Sequence, residues 1–127
     1  MTITPVYAGL LGLIYVALAL NVISIRRAQH ISLGDGGDDR LQRRMRAHGN
    51  FAEYTAFTLL LIGFAEFNGA AAPLLHALGL ALLAGRLLHA YALTADRPIA
   101  GGRTVGMALT FTTLVVAALA CFWTSLL

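Results

Sequence analysis

The sequence predicts an all-α integral membrane protein, one bundle of four helices with no separate soluble domain. Three observations lead there. Of 127 residues, 58% are hydrophobic and 12% charged, where a water-soluble domain carries roughly 25% charged residues. Two runs, Met1 to Ile25 and Thr104 to Leu127, hold no charge at all, and each exceeds the ~20 residues needed to cross a bilayer. Between them, turn-forming stretches at Ser32 to Asp39, Asn68-Gly69 and Asp96 to Arg103 leave room for two more helices.

The first span is expected over about residues 4–26, with Pro5 in its first turn, where the missing N–H costs nothing. A signal peptide does not fit, because the basic pair Arg26-Arg27 follows the apolar run instead of preceding it. Asp38 or Asp39 can cap the second helix, which runs to about Phe67. At ~1.5 Å per residue that helix is longer than the hydrocarbon core, so its Arg40 to Arg46 end should protrude into water and its span covers about 45–67. The third span follows from Pro73 to Ala95, and the fourth covers about 104–126. Arginines crowd the first and third connections and are missing from the second and from both termini. By the positive-inside rule the first and third connections are cytoplasmic and both termini lie outside.

All nine basic residues are arginine, a side chain suited to forked, permanently charged contacts with carboxylates. The net charge of +3 is concentrated at one mouth of the bundle, so it does not point to nucleic acid. One cysteine, Cys121, excludes an intrachain disulfide framework and reads as a packing residue. The four histidines lack metal-ligand spacing, so no metal site is expected. Gly34-Asp-Gly-Gly37 lacks the Lys-Ser/Thr of a phosphate loop, and Ser24 and Ser125 have no base pattern beside them.

The chemistry-bearing residues lie in the second and third helices. Arg46, Asn50 and Glu53, at i, i+4 and i+7, share one helical face, with His48 and Tyr54 beside them. Polar groups inside a membrane helix are expensive and normally face a bundle interior, a cavity or a partner. Asn and Glu as plain interhelical glue is the bland alternative. Arg86 should sit roughly 15 Å down the third helix from the Asp96 loop, with Glu53 as its expected counter-charge. Such a pair is open to a structural and to a catalytic reading. His89, one turn nearer the loop, is either a hydrogen-bonding ligand or a satisfied core histidine. The whole set suits a small polar anion entering from the cytoplasm and an apolar co-substrate arriving through lipid. If that anion carries a thiol, nearby guanidinium groups favour the thiolate.

The run Val22-Ile-Ser-Ile-Arg-Arg-Ala28, followed by Arg46-Ala-His-Gly-Asn-Phe-Ala-Glu-Tyr54, resembles the membrane-associated proteins in eicosanoid and glutathione metabolism, the MAPEG family. The spacing Arg-x-x-x-Asn-x-x-Glu-Tyr is similar to the glutathione-binding signature of microsomal glutathione transferases and the leukotriene synthase. Small bacterial members look most similar, and the resemblance covers essentially the whole chain. It implies a homotrimer of four-helix subunits in a bacterial inner membrane, with glutathione as co-substrate between neighbouring subunits and a hydrophobic small molecule or lipid as second partner. Carried over by position, Arg26, Arg46, Asn50, Glu53 and Tyr54 match glutathione contacts, and His48, Arg86 and His89 complete the expected binding set. His48 replaces a glutamine of the leukotriene synthase type, and His89 and Leu93 replace two tyrosines. Arg27 matches a position with a suggested catalytic role, and a realigned third connection supplies Arg103 as the thiolate-stabilising arginine.

The resemblance therefore implies a membrane-bound glutathione transferase, with peroxidase activity as a second use of the same thiolate. A non-enzymatic member that binds lipids or partners is the alternative. A small four-helix exporter ranks last, because such a protein usually carries a charge in its first span and Met1 to Ile25 has none.

Overall fold

A computed structural model describes residues 1–97 and 99–126. Pro98, in the last predicted connection, and Leu127, at the end of the fourth predicted run, lie outside the described residues. Four helices follow in order: α1 (Thr4–Gln29), α2 (Asp39–Phe67), α3 (Ala72–Thr94) and α4 (Gly102–Leu126). Three of them, α1, α3 and α4, are long and apolar enough to cross a membrane. The 29-residue α2 has the length, but its first half carries the arginines and the polar stripe.

Local chemistry sets the ends. Pro5 sits in the first turn of α1, and Arg26 and Arg27 in its last, where a cation complements the helix dipole. His30 closes α1 in the left-handed region at φ 56°, and the Ile31 N–H donates back to the Arg26 carbonyl at 3.0 Å. Of the two aspartates expected to cap α2, Asp38 does so: its Oδ1 accepts from the Leu41 N–H at 2.7 Å. Its Oδ2 accepts from the Gln29 amide at 2.5 Å, tying the end of α1 to the start of α2. Those two bonds, the Leu41 N–H first, hold the Asp38 carboxyl below its usual range. The helix α4 opens at Gly102, two residues earlier than the predicted span, so Arg103 lies within its first turn.

The core is apolar and narrow, built from Leu11, Leu18, Phe51, Ile62, Leu75, Leu78, Leu82 and Ala117. Small residues bring the helices close. At the α3–α4 crossing, a Cβ on Gly106 would lie 2.8 Å from the Gly85 carbonyl oxygen and from the His89 backbone nitrogen. Only glycine permits that approach. Gly79 makes room for the Tyr7 ring, which a Cβ there would overlap. The outward faces are the reverse of a soluble protein's: Leu13, Val16 and Leu20 on α1 and Val115, Leu119 and Phe122 on α4 are exposed.

At the end of the bundle away from the arginines, polar groups find partners within the chain. Glu66 accepts from the backbone N–H groups of Thr2, Ile3 and Thr4 at 2.5, 2.8 and 2.7 Å, capping α1 from another helix. Tyr7 Oη lies 3.0 Å from His76 Nδ1. Asn68 donates to Ser125 at 3.2 Å, and the Cys121 thiol to the Leu61 carbonyl at 3.0 Å, in keeping with its reading as a packing residue.

Candidate functional site

At the arginine-rich end, a cavity of about 250 Å³ opens between α2, α3 and α4. Its walls are Gln42, Arg43, Arg46 and Asn50 from α2, His89 and Leu93 from α3, and Arg103 from the first turn of α4. The spacing explains the convergence: Gln42, Arg46 and Asn50 are four apart, as are His89 and Leu93, so each set forms one stripe on its helix. Three guanidinium groups and two amides around one small volume suit an anionic ligand with several acceptor oxygens. A second cavity, about 630 Å³, shares His89 and Arg103 and is otherwise walled mainly by Ile99, Met107, Ala108 and Phe111. A polar compartment and a mostly apolar one therefore meet at two side chains.

Behind the cavity lies Arg86, with no solvent exposure. The expected Glu53–Arg86 pair does not form. Instead Arg86 Nη2 donates to Asn50 Oδ1 at 2.9 Å and Nη1 to the Asn50 carbonyl at 3.2 Å, while the guanidinium stands 5.9 Å from the centre of the Tyr54 ring. The reason is angular. At 100° per residue, Glu53 stands about 60° around α2 from Asn50, and its side chain is exposed. Tyr54 turns the other way and packs edge-on against Phe111, ring centres 5.4 Å apart.

The remaining predicted residues are not in the cavity. His48 lies about 200° around α2 from Arg46 and stacks on Tyr15 of α1, ring centres 4.7 Å apart. Arg26 reaches the Met45 sulfur at 3.4 Å, and Arg27 is exposed in the last turn of α1. This α1–α2 side has buried polar atoms without hydrogen-bond partners among the described residues: Arg26 Nη1, Arg44 Nε and His48 Nε2. The cavity side has two more, Arg86 Nε and His89 Nδ1. Polar atoms left this way are uncommon and call for an explanation. Sequence reasoning passed over Gln42 and Arg43 as site residues. Extending the Arg46–Asn50 stripe one turn toward the N-terminus would have found both.

A helical membrane bundle with an arginine-walled cavity beside an apolar one defines the class of protein. The chain belongs to the MAPEG family, whose profile matches residues 4–123. It is also similar to the inner membrane protein YecN of Escherichia coli, from two strains, at 35% identity over 121 residues, covering 95% of this chain and 91% of that protein.

Proposed function

We propose that the protein is a membrane-bound glutathione transferase, which holds glutathione in the arginine-walled cavity and conjugates it to hydrophobic electrophiles. The observation that carries this reading is the junction of the two cavities at His89 and Arg103. A transferase must bring a polar, anionic thiol against an apolar partner, and the two compartments offer one environment for each. Arg43, Arg46 and Asn50 bind the acceptor groups of glutathione. Arg103, shared by both compartments, stands over the thiol and favours its ionised form. A free thiol has a pKa of about 8.5, and each unit of depression needs ~1.36 kcal/mol of selective stabilisation. The thiolate then attacks the electrophile: its carbon–sulfur bond forms as the leaving group departs with the bonding electron pair. In the peroxidase counterpart the thiolate attacks the outer oxygen of a hydroperoxide and the alcohol leaves; a second glutathione thiol then displaces water from the resulting sulfenic acid to give the disulfide.

The site in this reading is shared between subunits of a homotrimer. A cavity of about 250 Å³ is smaller than the ~300–1,000 Å³ of ordinary ligand pockets, and Arg26 and His48 stand on the far side of α2. A neighbouring subunit that brings its α1–α2 side to this cavity supplies those two residues and gives their unpartnered nitrogens something to bind. Glu53, exposed on a membrane helix, gains in the same arrangement a partner in the ligand's ammonium or the adjoining chain. The arginine-rich end faces the cytoplasm of a bacterial inner membrane, and Arg27 stands beside Arg26 at that mouth.

Difference absorbance of the thiolate, recorded on the purified detergent-solubilised protein with glutathione at neutral pH, tests the reading. A thiolate band together with calorimetric binding supports it. Binding without ionisation would make the protein a non-enzymatic binder, and no binding at all would end the proposal.

A further inference from the structure

We infer that Arg86 is a positioning residue: it sets the orientation of the Asn50 side-chain amide, so that Asn50 meets its ligand as a hydrogen-bond donor only. A guanidinium has five N–H donors and no acceptor, so the atom facing it must be an oxygen. The 2.9 Å bond from Arg86 Nη2 therefore fixes Oδ1 on the buried side, whichever way an amide might otherwise be drawn. The bond from Nη1 to the Asn50 carbonyl at 3.2 Å holds the backbone of the same residue. Arg86 is fully buried and is not among the residues that wall the cavity, whereas Asn50 is. The end of the amide left for the cavity is Nδ2, which donates to no protein atom among the described residues. The guanidinium also lies against the Met107 sulfur at 3.7 Å and the Tyr54 ring. Asn50 supplies its only oxygen acceptors among the described residues, so the group that Asn50 meets must be an acceptor, a carboxylate or a carbonyl.

This inference rests on the reading of the cavity as the glutathione site, and Asn50→Asp separates the two. A carboxylate there still accepts from Arg86, now as an ion pair, but it has lost both Nδ2 donors. The full-length variant in detergent should unfold at or above the wild-type temperature while its glutathione affinity falls at least tenfold. Asn50→Ala, which leaves Arg86 without its side-chain acceptor, should unfold lower. Wild-type affinity in Asn50→Asp would overturn the inference, as would a lowered unfolding temperature in that variant. A readout free of ligand accompanies these. The chain has three asparagines, so selective 15N labelling compared with Asn50→Asp identifies the Asn50 side-chain signal. Its amide protons should exchange readily with water in the ligand-free protein, and protection of those protons would also overturn the inference. Failure of the wild type to bind glutathione would end the proposed function, and the unfolding order and amide exchange would then decide the role of Arg86.

Discussion

The two ends of the bundle differ in how far their polar groups find partners within the chain. Near the chain's N-terminus, the Glu66 carboxylate collects three backbone N–H groups, and Tyr7, Asn68 and Cys121 each find a partner within the protein. At the arginine-rich end, buried nitrogens of Arg26, Arg44, His48, Arg86 and His89 have none among the described residues. The first end satisfies most of its polar groups within the chain, Thr4 Oγ1 excepted, while the second leaves five ring and guanidinium nitrogens open among the described residues. Because a polar group without a partner in low dielectric costs more than a paired one gains, the open nitrogens at the arginine-rich end are the ones that call for a partner.

The sharpest way to break that comparison is to remove one group from each end. Arg46 is exposed and walls the cavity. Arg46→Ala should leave thermal unfolding unchanged and weaken glutathione binding roughly tenfold to a hundredfold, about 1.5–3 kcal/mol for a hydrogen bond to a charged group. Equal affinity by calorimetric titration would remove Arg46 from the site. The close α3–α4 crossing comes next. Gly106→Ala should destabilise the bundle by about 1–3 kcal/mol, the usual range for overpacking, and should also weaken binding, because the displaced backbone carries His89. Unfolding and titration on the same samples check both parts.

Arg103→Ala refines the reading at the junction of the cavities. Glutathione affinity should change little, but the pH at which half of the bound thiol ionises should rise by about one unit, ~1.4 kcal/mol. The loss should fall on turnover more than on apparent affinity; an unshifted absorbance titration would point to Arg27 instead. At the opposite end, Glu66→Gln leaves one acceptor oxygen where two served three donors. The Thr2 to Thr4 amides should lose protection from hydrogen exchange while glutathione binding stays as it was.

The smallest effect belongs to Asp38. Its folded pKa is depressed, first by the Leu41 N–H and then by the Gln29 amide. Its stabilising contribution is therefore fully present above the ordinary aspartate value of ~3.9 and is lost as pH falls through the lower folded value. Amide exchange at Leu41, corrected for intrinsic rates, should hold steady from neutral pH to about 4 and rise below it. Asp38→Ala should show the higher exchange throughout, with that pH step gone.

Much was legible in the residues themselves. Charge-free runs, Pro5, Asp38 and the Asn68-Gly69 turn placed the four helices to within two or three residues, because capping, turn chemistry and hydropathy are local properties. The convergence of Arg46 and Asn50 also followed from a 3.6-residue period. The period says which residues of one helix share a face, but it does not say which neighbour that face meets. Only the packing of α2 between α1, α3 and α4 decided that His48 stacks on Tyr15, that Glu53 stays exposed, and that Arg86 takes Asn50 as its partner. The sequence alone determined the four helices and the face of α2 that carries Arg46 and Asn50. The tertiary structure decided the partners, because a buried guanidinium binds whichever oxygen the helix crossing brings within about 3 Å.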